Sequence, residues 1–269
     1  MSLILRAISR LLINRRHPTY SRLLFKASSK YVDFCYGDND FDRRTNGEIY
    51  VLKTIAPRLK TVFDVGANVG DYSADILAMN ENVRIHAFEP DKRAFDALAK
   101  KGIFKANNIA VGEKPGTIVF NLHKDKTVLN SILDLHDAAE FGSSIKIPMI
   151  SVDSYAKEND VSHIDFLKAD VEGYEFSVIK GGEGMLAKGA IDMIQFEFSG
   201  ASASARTFLK GFIDLFARHG YSLYRIKPDR IEPVRYRPDQ ERFTLTNYLA
   251  IRGGFRGHGL RIVEPTFLF

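Results

Sequence analysis

Apolar and polar positions change period along this chain in a regular order. TVFDVG (61–66) is a near-continuous apolar run of buried-strand length, and a mixed polar-apolar stretch follows it to about Met79. VRIHAFEP (83–90) is a second such run and DKRAFDALAKKG (91–102) a second helical stretch. The rhythm continues through NNIAVG (107–112), IDFLKADVEG (164–173), GYEFSVIKGGEGML (173–186), IDMIQFEF (191–198) and ARTFLKGFIDLFARHG (205–220). Strands separated by helical stretches of this length predict βαβ crossovers and a mostly parallel sheet covered on both faces. The end of the chain breaks the pattern. YSLYRI (221–226) and NYLAIR (247–252) are strand-like with only a Pro- and Arg-rich stretch between them, which predicts an antiparallel finish to the sheet. Between them and the first half, TIVFNL (117–122) reads as an extra strand and residues 123–144 as a loop with a short helix.

Composition narrows the class. With 269 residues, 45% of them hydrophobic, the chain is long enough for one domain with appendages. The single cysteine, Cys35, excludes an intramolecular disulfide and any multi-Cys metal site, which fits a cytoplasmic location. The seven histidines have no paired spacing that would predict zinc, and His123 and His136 remain loop candidates for a base. Net charge is +5, yet seven of the 38 basic side chains and none of the 33 acidic ones fall in the first 30 residues. The body is therefore nearly neutral, which argues against a general phosphate-tracking surface. At the N-terminus, Leu5, Ile8 and Leu12 at helical spacing with Arg6 and Arg10 on other faces predict a short basic amphipathic helix. Residues 1–30 are thus a candidate for peripheral contact with anionic lipid, or a helix with a solvated basic face. No apolar run reaches the length of a membrane span, and no secretory signal is visible.

The candidate chemistry sits in FDVGANVGDYS (63–73), at the turn after the first core strand, where doubly wound sheets bind ligands. A dinucleotide fingerprint would read G-x-G-x-x-G. Here the order is Asp64-x-Gly66-x-Asn68-x-Gly70, followed by Ser73, with the acid ahead of the first glycine. A pyrophosphate gains nothing from that carboxylate, whereas a ligand bearing an ammonium and a sulfonium does, which points to S-adenosylmethionine. Glu89, ending the next strand, is placed to accept hydrogen bonds from ribose hydroxyls.

FDVGANVGDYS, FEPDKRAFDAL, NNIAVG, LNSI and IDFLKADVEGYEFSVIKGGEGML, in this order, resemble the FkbM family of S-adenosylmethionine-dependent methyltransferases. The likeness runs from about residue 45 to 252. It implies an α/β class I methyltransferase fold, Rossmann-like and doubly wound, with a mostly parallel seven-stranded sheet whose last strand is antiparallel. It also implies O-methylation of sugars, glycolipids or related natural products. Asn68 matches the family pattern, Asn108 takes the position suggested for adenine recognition, and Asn130 and Ser131 match its N-S element. Three parts follow: a basic helical extension over 1–44, the methyltransferase domain over 45–253 and a tail over 254–269.

Methyl transfer from a sulfonium is an in-line displacement that needs an acceptor held in place and a base for its proton. Asp170 and Glu172, ending a core strand, are the best-placed carboxylates, with either as base. Glu197 would complete an acidic cluster that also offers oxygens to Mg²⁺. Two other readings stand beside this one: a nucleic-acid (RNA) methyltransferase, suggested by arginines interleaved with aromatics over 224–243, and a non-catalytic nucleoside-binding protein on the same fold.

Overall fold

In the computed structural model, residues 18–102, 104–123 and 141–265 are described. The predicted basic helix over 1–16, most of the loop-and-helix segment, Asn130, Ser131 and His136 lie outside the described residues. The described chain divides into two compact units, one ending at Asn39 and one covering Asp40–Pro265. The first contains helix α1 (Pro18–Tyr36). No helix of the described residues is long and apolar enough to cross a membrane.

The second unit has eleven strands among the described residues: β1 (Thr61–Val65), β2 (Arg84–Phe88), β3 (Lys105–Asn107), β4 (Ala110–Val111), β5 (Gly116–His123), β6 (Phe141–Ile150), β7 (Ile164–Ala169), β8 (Ile191–Phe198), β9 (Tyr221–Lys227), β10 (Arg230–Pro233) and β11 (Thr246–Arg252). Its helices are α2 (Glu48–Ile55), α3 (Asp71–Met79), α4 (Lys92–Lys100), α5 (Val152–Glu158), α6 (Glu175–Lys180), α7 (Glu183–Ala187), α8 (Gly200–Ser204) and α9 (Leu209–Arg218).

Eight strands form the main sheet in the order β10-β9-β11-β8-β7-β1-β2-β3. β1 pairs in parallel with β2 and β7, β2 with β3, and β7 with β8, while β11 runs antiparallel to both β8 and β9. This is the Rossmann-like class I arrangement. It carries one strand beyond the expected seven, because the chain turns back after β9 and adds β10 as an antiparallel edge. The segment 113–150 also holds more regular structure than its sequence suggests: β5 and β6 pair over eight residues and, with β4, make a separate small sheet.

Strand periodicity of two explains how one sheet supports two cores. In β1, Phe63 and Val65 belong to one apolar cluster and Val62 to the other. In β7, Leu167 and Ala169 oppose Phe166, and in β8, Ile194 and Phe196 oppose Met193. Helix α9 covers the first face with Leu209, Phe212, Leu215 and Phe216, while α2 and α3 cover the second with Val51, Leu52, Ile55, Tyr72 and Ile76. Phe196 is stacked 4.3 Å from Phe212 and 5.6 Å from Tyr248. Burying each such ring contributes about 1.5–3 kcal/mol, so these contacts fix the strand ends rigidly beneath the site.

Chain order reverses between β1 and β7, since β1 leads outward to β2 and β3 before the chain returns to β7. A crevice opens above the carboxyl ends at such a point.

Candidate active site

A half-open cleft of about 690 Å³, counted out to its mouth, occupies that crevice; Val65, Gly66 and Asn68 line it beside Asp170, Val171 and Glu172 from the neighbouring strand end. Phe88, Pro90, Ile109, Ala110, Val111 and Phe120 give it an apolar wall, with Glu89 the polar group among them. An apolar wall beside the Glu89 carboxylate suits a nucleoside, the base against the wall and the sugar against the acid.

The turn after β1 is shaped by its own packing. Gly66 and Ala67 N–H both donate to the Phe88 carbonyl at 3.0 Å. Gly66 has φ +81°, and a Cβ there would collide with the Asp170 backbone oxygen, so this glycine lets the two strand ends meet. Gly70, φ +84°, serves the helices instead: a Cβ would lie 2.5 Å from Leu98 Cδ1 on α4. Asn68 adopts φ +48° with its Oδ1 accepting from Val69 N–H at 2.8 Å, the local bond that makes asparagine tolerable in that region. Its own N–H donates to Glu89 Oε2 at 2.8 Å. The other Glu89 oxygen accepts from Asp91 N–H at 2.7 Å. Burial, only partly offset by these bonds, pushes Glu89 up to about 7. Each oxygen keeps acceptor capacity for a hydroxyl. Asn108 is turned to the backbone, its Nδ2 donating to the carbonyls of Glu89 at 2.9 Å and Pro90 at 3.1 Å, so it steadies the Glu89 turn.

Asp64, expected to act on the ligand directly or through the turn, lies beneath the turn. It shares the parity of Val62, which points it into the α2/α3 face, where it is fully buried and accepts from Ser73 Oγ at 2.6 Å. Its other oxygen, Oδ1, has no hydrogen-bond partner. Burial raises its pKa, opposed chiefly by the Lys168 ammonium. Lys168 is itself buried, 2.9 Å from Asp170 Oδ2 and over the Tyr72 ring at 4.8 Å. Its ammonium is held charged, its pKa raised against the cost of burial by Asp170, Asp64 and Glu48. Glu48, at the start of α2, accepts from Gln195 Nε2 at 2.8 Å and Asn46 Nδ2 at 3.1 Å, and Tyr72 donates to Gln195 at 3.1 Å. Glu48 was not expected as part of the site; its contact with Gln195 joins residues far apart in sequence.

Residues 170–175, after β7, form an acidic turn. Glu175 Oε1 accepts from Val171 N–H at 2.8 Å and Gly173 N–H at 3.2 Å, which folds the backbone around Glu172 at φ +53°. Glu172 is pushed up to about 8 by burial and by the charges of Asp170 and Glu175. Glu175, buried, is pushed up to about 7, mainly by desolvation. Glu197 is raised well above its ordinary value by burial and by Asp170, Glu172 and Glu175, so Glu175 joins the three expected acids in one electrostatic neighbourhood. The signal for Glu175 was the acid in the first turn of a helix directly behind D-V-E-G.

Among the described residues, no three of these acids bring candidate ligand atoms within 4.8 Å of one another. Among the described residues the one group with three candidate ligand atoms within 4.8 Å is His163, Asp165 and Asp192, at the amino ends of β7 and β8, away from the cleft. That group is tied up internally: Asp165 accepts from Lys60 and Thr61 N–H, and Asp192 is held by His163 and Arg252.

The arginine-rich stretch over 224–243 is paired. Arg225 donates to Tyr248 Oη at 3.0 Å, Arg230 bridges Asp229 and Glu232, Arg235 meets Glu264 at 3.0 Å and Arg237 meets Asp239 at 3.1 Å.

Comparison with known proteins bears on this geometry. A sequence model of the Methyltransferase FkbM domain matches residues 64–223. The 2-O-methyltransferase NoeI of Sinorhizobium fredii is 25% identical over 146 residues, 47% of this chain and 59% of that protein. Among solved structures, Methyltransferase FkbM from Methylobacillus flagellatus is 16% identical, with 71% of this chain and 43% of that one covered and a TM-score of 0.42. An rRNA methylase from Streptococcus thermophilus is 11% identical, with 79% and 98% covered and a TM-score of 0.42. The chain thus spans less than two thirds of the length of NoeI and of the M. flagellatus protein.

Proposed function

The chain belongs to the FkbM methyltransferase family, and from that premise we propose that it methylates a hydroxyl of a sugar, glycan or glycolipid, with S-adenosylmethionine as donor. The observation that carries this reading is one cleft lined by a nucleoside-type acceptor acid, Glu89, and by the carboxyls of Asp170 and Glu172.

The residues fit the donor. Glu89 would accept from the ribose hydroxyls, and the apolar wall of Ile109, Val111 and Phe120 would hold the adenine. The carboxylate of Asp170 lines the cleft, which favours a cationic methionyl end there. Asp64 acts from beneath the turn. S-adenosylmethionine supplies an electrophilic methyl group on sulfur; the protein has to supply alignment and a base.

Glu172 is our assignment for that base. A carboxyl titrating near 8 accepts a proton from a hydroxyl more readily than an ordinary one, and lies close to the operating pH. Asp170, fixed by Lys168, orients the acceptor, and Glu197 bounds the same acidic patch. An oxygen acceptor is supported by NoeI, named a 2-O-methyltransferase. The pairing of Arg225, Arg230, Arg235 and Arg237 supports a small or glycan acceptor over RNA, because those cations already have partners.

The test is calorimetric titration with S-adenosylmethionine and separately with NAD⁺, on the protein and on Glu89→Ala, followed by transfer of a labelled methyl group to glycan and lipid-sugar acceptors. Saturable binding of S-adenosylmethionine alone, lost in Glu89→Ala, is the expected result. Binding of NAD⁺ in its place, or of neither, overturns the reading.

A further inference from the structure

We propose that α1 is an interfacial helix that docks the protein on an anionic lipid surface. The inference stands on the helix alone and does not depend on methyl transfer.

Helix α1 leaves large apolar side chains in solvent. Tyr20 is 53% exposed, Leu23 66%, Tyr31 67% and Phe34 85%. With the exposed Ala27 they recur at i, i+3, i+7, i+11 and i+14, so they form one stripe along the helix, while Phe25, 71% exposed, lies on another face. Arg22, Lys26 and Lys30, all exposed and four residues apart, run as a row beside it. The helix contains one acid, Asp33, which accepts from Asn39 Nδ2 at 3.0 Å. Preceding sequence adds Arg6, Arg10, Arg15 and Arg16 and no acid.

Each part of this pattern suits a bilayer interface. An apolar stripe flanked by a basic row buries its rings at the acyl boundary while the lysines extend along it to the headgroups. Tyrosine is favoured at that depth because one end of the ring is apolar and the other polar. Nineteen residues make a helix about 28 Å long. It lies in the surface plane, since it is not apolar enough to cross.

A protein partner fits less well. Lysine is depleted from protein–protein interfaces. A second copy packed on the same stripe about a two-fold axis would bring the same row of basic charges close to itself, and like charges across an interface oppose binding.

The experiment is flotation of the full-length protein with vesicles of phosphatidylcholine alone and of phosphatidylcholine mixed with phosphatidylglycerol, at low and high salt, with light scattering in parallel. The wild type should float with the anionic vesicles and be released by salt. A charge variant, Arg22→Glu, Lys26→Glu and Lys30→Glu together, should lower partitioning by roughly 100-fold or more, at about five-fold for each basic group lost. A stripe variant, Tyr20→Ser, Leu23→Ser, Tyr31→Ser and Phe34→Ser, should lower it at unchanged charge. Thermal unfolding of the body serves as the folding control, and the charge variant alone keeps the proposal open to refutation if the stripe variant aggregates. Failure of the wild type to float with anionic vesicles overturns the proposal. So does equal flotation with both vesicle types untouched by the charge variant. A lipid-independent dimer dissolved by the stripe variant would reassign the face to self-association.

Discussion

Glu172→Gln tests the acid–base assignment through stability as well as rate. In the folded protein this carboxyl titrates near 8, against an ordinary 4.5, chiefly because burial disfavours its charge. At about 1.4 kcal/mol per pH unit, full ionisation is disfavoured by at most about 5 kcal/mol, and by about 3 kcal/mol at pH 7. The sign follows from proton binding. Below 4.5 the group is protonated both folded and unfolded, and no stability is lost. Between 4.5 and 8 the folded state holds more protons than the unfolded state, so stability falls as pH rises, and above 8 the full loss is in place. Glutamine has the same shape and faces the same φ of +53°, so the backbone cost is common to both proteins. Urea unfolding should therefore give curves nearly equal at about pH 5, with Glu172→Gln the more stable protein by up to about 3–5 kcal/mol at about pH 8.5. Turnover should fall by roughly 10²–10⁴-fold, the usual worth of a general base. A variant with the wild-type dependence of stability on pH would refute the raised titration, and a variant with wild-type turnover would refute the base assignment.

Three further outcomes are expected. Because Glu89 titrates near 7 and ribose hydroxyls favour its ionised form, S-adenosylmethionine binding near neutral pH should release protons; calorimetry in buffers of different ionisation enthalpy measures this, and net uptake would contradict it. Gly66→Ala should destabilise the fold by more than about 1–2 kcal/mol and abolish donor binding, read by thermal unfolding and titration, because its Cβ meets the Asp170 backbone at a positive φ. Lys168→Met should cost about 3–5 kcal/mol in chemical denaturation at neutral pH, since it leaves Asp64, Glu48 and Asp170 without their shared cation.

Much of the architecture was legible because period and length agree for its elements. TVFDVG and IDMIQFEF are apolar on both parities, as strands covered on both faces must be, and each is observed as a central strand. The antiparallel pairing of β9 with β11 was likewise readable, from the lack of a helix between two apolar runs. Residues 141–150 were missed as a strand although Ile145, Ile147 and Met149 alternate, because small and polar residues precede them and their partner β5 is the only sheet neighbour of comparable length. At the site, spacing marked Glu89, Asp170 and Glu172, all of which line the cleft. Spacing does not reveal direction. The parity that puts Val62 in the α2/α3 face also turns Asp64 away from the cleft, and Gly70 answers to Leu98 on α4. Glu48 becomes visible as a site component only once α2 is packed across β8, a contact that no local pattern encodes.

The strand added beyond the expected sheet has a consequence for solubility. β10 is four residues long, ends in Pro233, and would offer its outer backbone groups to any passing strand. The chain beyond Gly253 covers that edge: Ile231 N–H donates to the Arg261 carbonyl at 2.9 Å and Val263 N–H to the Ile231 carbonyl at 3.0 Å, while Leu260 is buried in the core. These last residues act as a cap against edge-to-edge aggregation. A protein cut back to the end of β11 would keep its cleft residues and expose a sticky margin, so its first defect in cells or in storage would be precipitation.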